Sequence, residues 1–189
     1  MIKTEIRAFI ALKINPEQKL LDQFREFKRL FKGARIKWVP EENFHLTLRF
    51  IGNTTREQFY ALIDRLEELA LQINPFEIKI EGAGYFSSKG MPRVLFMKIR
   101  YPETLNKLVA DVEQAVVETG FHQELKPFRP HLTLGRIKHL DKHIRLTDIL
   151  DNIPNIEYQR QFVDEFILYQ SILRSEGPVY KPIKTFKLK

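Results

Sequence analysis

His45-Leu46-Thr47-Leu48-Arg49 returns later in the chain as His131-Leu132-Thr133-Leu134-Gly135-Arg136. Each copy follows a helix-patterned segment and a proline-containing loop, with Pro40 before the first and Pro127 and Pro130 before the second. In extended backbone, residues i and i+2 share a face, roughly 6.5–7 Å apart along the strand. His45 and Thr47 therefore face one way while Leu46 and Leu48 face the other; His131 and Thr133 stand against Leu132 and Leu134 in the same manner. The leucines anchor each strand in a core and leave an imidazole and a hydroxyl together on the opposite side. Two such strands set beside each other about a pseudo-twofold axis make a symmetric cleft holding two His and two Thr. The echo predicts two structurally similar lobes of roughly 90 residues, one motif in each.

A single His-x-Thr in a strand is ordinarily a half-buried polar pair. Packing and chance account for a repeat of the leucines, but not for a repeat of His and Thr as well. The remaining alternative is an old duplication that retains structure alone.

Outward from the motifs, the pattern is mixed. Residues 7–12 form a short apolar run, as in a buried strand. A helix opens at Pro16 and Glu17, with Asn15 as its expected cap, carries Leu20, Leu21, Phe24 and Phe27 at helical spacing, and stops at Gly33. Residues 35–39 are extended, 43–51 alternate like a strand, and Gly52-Asn53 reads as a turn. Thr54 or Thr55 caps a second helix bearing Phe59, Leu62, Ile63, Leu66 and Leu69, which ends at Asn74-Pro75. Strands are expected over 76–82 and 94–99, separated by a Gly- and Ser-rich loop over 84–91. A third helix spans about 102–119 and ends at Gly120. The second motif opens a strand over 131–137. A short helix near 146–150, a strand over 162–169 and an extended piece over 179–188 complete the chain. Strands and three good helices without strict βαβ alternation make this an α+β protein, and no low-complexity linker divides its 189 residues.

Fifteen Phe and 43% hydrophobic residues are enough to fill a core. No Cys is present, which removes disulfides, thiolate metal sites and a Cys nucleophile, and accords with a reducing cytoplasm. Charges at Lys3, Glu5 and Arg7 break any leader-like run, and no segment approaches the length of a membrane span. The net charge of +7 favours polyanionic partners through phosphate attraction, although it serves solubility equally well.

Paired imidazoles suit in-line displacement at phosphorus. One, neutral, takes the proton of an attacking water; the other, as imidazolium, protonates the departing ribose oxygen. Histidine reaches both forms near neutral pH because its unperturbed pKa lies near 6.5. Each transfer supplies about 10²–10⁴ in rate. The Thr47 and Thr133 hydroxyls can donate to non-bridging phosphate oxygens, and Arg136 adds a fixed positive charge. The residues offer no good metal cluster, and this chemistry needs none.

These residues resemble the RNA 2′,3′-cyclic phosphodiesterases, also called 2′-5′ RNA ligases, of the 2H phosphoesterase superfamily, whose signature is a pair of His-x-Thr motifs. The resemblance runs through Arg7-Ala8-Phe9-Ile10-Ala11, Trp38-Val39-Pro40 up to the first motif, Gly82-Ala83-Gly84-Tyr85-Phe86, and Pro92-Arg93-Val94-Leu95. It continues through Phe128-Arg129-Pro130 into the second motif, Leu168-Tyr169-Gln170-Ser171, and Gly177-Pro178-Val179-Tyr180. It implies a bilobed α+β fold with a cleft between two sheets. It implies hydrolysis of a 2′,3′-cyclic phosphate to a 2′-phosphate, and in some members 2′-5′ joining of RNA ends. His45, Thr47, His131 and Thr133 match its motif, and Arg136 matches its arginine after the second copy. His131 is read as the base and His45 as the acid for hydrolysis. The near-symmetry leaves the reverse assignment open, and the roles exchange for ligation. The partner is an RNA with a cyclic phosphate end, a tRNA fragment for example, acted on by a cytoplasmic monomer without a cofactor.

Phe9, Phe50, Tyr85 and Phe86 are aromatics near the expected cleft, where Phe9 and Phe50 are candidates to stack on the terminal base, with core packing as the competing role. Arg93 and Arg129 are candidates for flanking phosphates or plain surface charges. His122, His139 and His143 have no partner motif and are read as surface residues. Lys181, Lys184, Lys187 and Lys189 read as a solvated edge strand. Rival functions are a binding module for RNA ends without turnover, and a related enzyme acting on another cyclic or 2′-5′ linked nucleotide.

Overall fold

In the computed structural model, which describes residues 6–141, 143–174 and 177–189, the apolar run after Arg7 is an inner strand, β1 (Ile6–Lys13). The charges at Lys3 and Glu5 lie outside the described residues. After β1 come α1 (Gln18–Leu30), β2 (Arg35–Trp38), a 3-10 turn at Glu41–Asn43, β3 (His45–Thr54) and α2 (Arg56–Ala70). Then follow β4 (Phe76–Ser88), β5 (Met91–Arg100), α3 (Glu103–Glu118), β6 (His131–His139) and the short α4 (Leu146–Asp151). The chain closes with β7 (Glu157–Val163), β8 (Glu165–Arg174) and β9 (Gly177–Lys187). The strands form two antiparallel sheets, β3-β1-β8-β9 and β2-β6-β5-β4-β7, and the fold is α+β as the pattern predicts.

One core serves both sheets. Ile10, Leu12, Leu46 and Phe166 from the four-stranded sheet join Ile78, Leu95, Met97 and Leu132 from the five-stranded one, together with Phe24, Leu62 and Leu108 of the helices. Each sheet thus buries one face against helices and turns the other outward. A second, small apolar cluster of Phe9, Ala11, Ile167 and Tyr169 lies on the other face of the four-stranded sheet, with Tyr180 packed against it.

Each sheet carries one motif, but neither sheet is a sequential half of the chain. β2 pairs with β6, and β8 and β9 extend the sheet that begins with β1. The strand expected over 162–169 is two strands: Asp164 separates β7, which pairs with β4, from β8, which pairs with β1, and the chain changes sheets there.

Other expectations need correction. Asn15 is not the cap of α1; Glu17 holds that position without a side-chain bond, while the Asn15 backbone is engaged by Gln161 (N–H to Oε1, 3.2 Å) and Gln159 (Nε2 to the carbonyl, 2.9 Å) of β7. Thr55 does cap α2, in a reciprocal box with Gln58. Gly52-Asn53 is no turn: β3 runs on to Thr54, and Gly52, at φ +78°, belongs to a bulge where Ile51 is passed over between the pairs Phe9–Phe50 and Ala8–Gly52. The expected loop over 84–91 is mostly strand. β4 and β5 form a long hairpin whose turn is Lys89-Gly90, both at positive φ. The small residues that read as loop serve packing instead, since a Cβ on Gly84 would lie 2.8 Å from Cζ of Phe96.

Candidate active site

The alternation read from the motifs is realised in both strands. Leu46, Leu48, Leu132 and Leu134 are buried, whereas His45, Thr47, His131 and Thr133 are half-buried on the opposite face. β3 and β6 lie against each other, and His45 comes within electrostatic reach of His131 and Arg136.

Just past each threonine the ladder slips at the same place. Ala11 pairs with Thr47 and Ile10 with Arg49, which leaves Leu48 as the extra residue. Phe96 pairs with Thr133 and Leu95 with Gly135, which leaves Leu134 as the extra residue. A bulge of this kind reverses the facing of everything beyond it. Strict alternation would send Arg136 to the leucine side; the bulge returns it, exposed, to the side of His131 and Thr133. The same slip exposes Phe50 (60%) beside Thr47 and turns Arg49 away into a partly buried ion pair with Glu113 (Nε to Oε2, 2.5 Å).

The two imidazoles are held alike. Nδ1 of His45 lies 2.6 Å from the Asn43 carbonyl, and Nδ1 of His131 lies 2.6 Å from the Arg129 carbonyl. A carbonyl only accepts, so in each neutral ring the proton is on Nδ1 and Nε2 keeps its lone pair. Aromatic rings wall both. His45 lies 5.2 Å from Phe9 and 5.2 Å from Tyr180; His131 lies 4.8 Å from Phe86 and 5.4 Å from Phe96, centroid to centroid. Burial among these rings pushes both pKa values below the ordinary imidazole value, against the carbonyl bonds, which raise them. The charges of Lys13, His131 and Arg136 depress His45 further, and Arg136 depresses His131.

Lysines repeat the symmetry, with Lys13 opposite His45 and Lys98 opposite His131 in the strand pairing. The Lys13 ammonium donates to the Glu42 carbonyl within the turn that presents Asn43 to His45. Burial lowers its pKa, and Glu42 raises it.

The structure thus brings His45, His131 and Arg136 within electrostatic reach of one another, with Thr47 and Phe50 on the His45 side of β3 and Thr133 on the His131 side of β6. Phe9 does not join them as a surface for a base: it is 2% exposed, closed over by Tyr169 (5.2 Å) and Tyr180 (4.9 Å), and backs His45. Phe86 packs on His131, whereas Tyr85 points to the other face of β4. Arg93, Arg129, His122, His139 and His143 are exposed; Nε2 of His139 lies 3.3 Å from Asp141. Among the described residues no three His, Cys, Asp or Glu are grouped as a metal site would need. β9 is an edge strand as read, its Lys184 and Lys187 paired with Glu67, Asp164 and Glu165. Lys13 and Phe96 went unread, and Tyr169 and Tyr180, though within segments of the resemblance, were given no place in the site, because nothing local in the sequence puts them there. Their place by the histidines is set by strand pairing.

The LigT-like phosphoesterase family model matches residues 12–96 and again 99–180, with one His-x-Thr in each match. The RNA 2′,3′-cyclic phosphodiesterase of Archaeoglobus fulgidus is 33% identical over 187 residues, covering 96% of this chain and all of the relative. That of Thermotoga maritima is 34% identical over 177 residues, covering 93% and 92%. Among solved structures, a Thermus thermophilus protein superposes with a TM-score of 0.79 at 29% identity over 97% of this chain and 98% of its own. Escherichia coli LigT complexed with 3′-AMP superposes at 0.78, with 24% identity over the same shares, and so shares the fold. The chain belongs to the LigT-like phosphoesterase family.

Proposed function

We propose that this protein hydrolyses RNA 2′,3′-cyclic phosphate ends to a 2′-phosphate and a free 3′-hydroxyl, without a metal, in a single domain with one His-x-Thr motif in each of its two lobes. The observation that carries the reading is the matched pair of imidazoles, each tied through Nδ1 to the carbonyl two residues before it and each keeping Nε2 for a reacting proton. His131 takes the proton of the attacking water as its oxygen bonds to phosphorus. The bond from phosphorus to the 3′-oxygen breaks, and His45 protonates that oxygen. The anionic substrate offsets Lys13 and Arg136, so His45 gains its proton in the complex more readily than in the free protein. Thr47, Thr133 and Arg136 hold the non-bridging oxygens, and Phe50 offers an open ring to the terminal base. With a 5′-hydroxyl in place of water, the same displacement joins RNA ends through a 2′-5′ linkage; the bond to the 3′-oxygen again breaks, so the histidines keep their hydrolytic roles and exchange them only when that linkage is cleaved. tRNA fragments are substrates of this kind. Both histidines come from one chain, so a cytoplasmic monomer suffices.

The test is a short RNA ending in 2′,3′-cyclic phosphate, incubated with the protein in EDTA, its products resolved as 2′- or 3′-phosphate. The expected product is the 2′-phosphate, with turnover at least about 10²-fold lower in His45→Ala and in His131→Ala. A 3′-phosphate would reverse the leaving group. RNA bound without turnover would make this a binding module, and dependence on a metal would overturn the mechanism.

A further inference from the structure

Tyr180 belongs to β9, which is separated from β3 by β8 and β1 in the sheet order, yet its ring packs edge-on against His45 at 5.2 Å and an interplanar angle of 83°. The sheet curls enough to carry the outermost strand's side chain back over the site. The same ring closes on Phe9 at 4.9 Å, so Tyr180 forms one wall of the His45 pocket. Its phenol lies within electrostatic reach of Arg136 on the other sheet and of Arg7 on β1. Burial pushes its pKa up, and the two guanidinium groups pull it down, so the half-buried phenol keeps its proton as a donor. Two guanidinium charges beside one phenolic donor make a surrounding that suits an anion such as a phosphate. The pseudo-twofold breaks here, because the rings against His131 are Phe86 and Phe96, which carry no hydroxyl.

We propose that Tyr180 is a further substrate-contacting residue of this site, its hydroxyl donating to a non-bridging oxygen of the cyclic phosphate while its ring keeps His45 in place. This rests on the function proposed above. It makes the cleft asymmetric: the phosphate is held by Arg136 from the five-stranded sheet and by Tyr180 from the four-stranded one, with the extra donor on the side of His45.

Two variants separate the hydroxyl from the ring. Tyr180→Phe keeps the packing and removes only the donor; kcat on the cyclic-phosphate RNA should fall about tenfold or more with the pH profile of kcat/KM unmoved. Tyr180→Ala also uncovers His45, so the pH limb that His45 controls should move upward. Full kcat in Tyr180→Phe would overturn the contact, and an unmoved limb in Tyr180→Ala would overturn the wall. Binding of inorganic phosphate, followed through the His45 and His131 ring signals by NMR, gives a second reading. Weaker binding by Tyr180→Phe than by the unaltered protein supports the contact, and equal binding sinks it. If the unaltered protein binds phosphate but turns over no cyclic phosphate, the proposed function fails while the phosphate comparison still decides the hydroxyl. If it binds no phosphate at all, both fail.

Discussion

Phe50 and Arg136 occupy the same place in their strands. Each lies three residues past its threonine and just beyond a bulge at the motif's last leucine, and each faces the cleft. The backbone repeats here and the chemistry does not, for one sheet presents an open aromatic ring where the other presents a guanidinium. A cleft with matched histidines thereby has two unlike sides, one with an exposed aromatic ring and the other with a fixed positive charge.

If the two positions divide the work in this way, their variants separate kinetically. Phe50→Ala should raise KM for a cyclic-phosphate RNA about fivefold or more with little change in kcat, because base stacking contributes about 1–3 kcal/mol. Arg136→Met should lower kcat about 10²-fold, since its charge is applied where negative charge is held in the transition state. Steady-state kinetics of the two variants would show the split, and a common effect on both parameters would contradict it.

Both histidines are held below the ordinary imidazole pKa, so the bell in kcat/KM, which reports the free protein, should peak below about pH 6.5. Its limbs belong to the coupled pair. The profile of kcat should lie at higher pH because bound phosphate favours the charged ring. The same depression affects stability. Near and below pH 6.5 the unfolded chain binds more protons at these positions than the folded one, so stability rises with pH. The contribution is full above about 6.5 and is lost as pH falls from there through the folded values. Urea titrations at pH 7.5 and 5.5 should show the loss, reduced in the double His45→Ala, His131→Ala variant.

Lys13 presses its charge on His45 and also holds the turn that supplies the Asn43 carbonyl. Lys13→Met should raise the His45 pKa, read from ring signals across a pH titration, and leave that of His131 nearly in place. A downward movement would mean that the loosened turn, and not the lost charge, dominates.

Arg49, turned away from the cleft by the bulge, ties β3 to Glu113 of α3 and donates to the His122 carbonyl, while Glu113 accepts from the Glu124 amide in the connection leading to the second motif. Arg49→Met should destabilise the fold by about 2–4 kcal/mol, because it leaves the Glu113 carboxylate partly buried without its cation. Adding Glu113→Gln should restore part of the loss. Denaturant midpoints of the three variants check this, and strict additivity would contradict the coupling.

The four-residue echo was legible because two physical rules act on it locally. Alternation buries Leu46, Leu48, Leu132 and Leu134 whatever the partners are, and imidazole beside hydroxyl in two copies is the pattern on which the proposed acid–base pair rests. The helices were plain in their apolar faces, since the 3.6-residue period is a short-range signal, while their caps were less so: Thr55 was one of two candidates for α2 and Asn15 was misplaced for α1. Glycine and serine misled over 84–91, where Gly84 makes room for Phe96 instead of turning the chain. One strand was read across Asp164 because both of its halves are apolar and the change of sheet leaves no local mark.

The sequence by itself therefore determined the inward and outward sense of each motif strand, and with it the residues on which the proposed reaction rests, since both depend on neighbours one and two positions away. Only the tertiary structure decided which strands pair and where their ladders slip. Those long-range choices turned Arg136 and Phe50 into the cleft and Arg49 out of it, buried Phe9 beneath its neighbours, and brought Tyr180 across a curled sheet to His45. A bulge is a property of two strands together, and a curl is a property of four, so neither is written in any single stretch of chain.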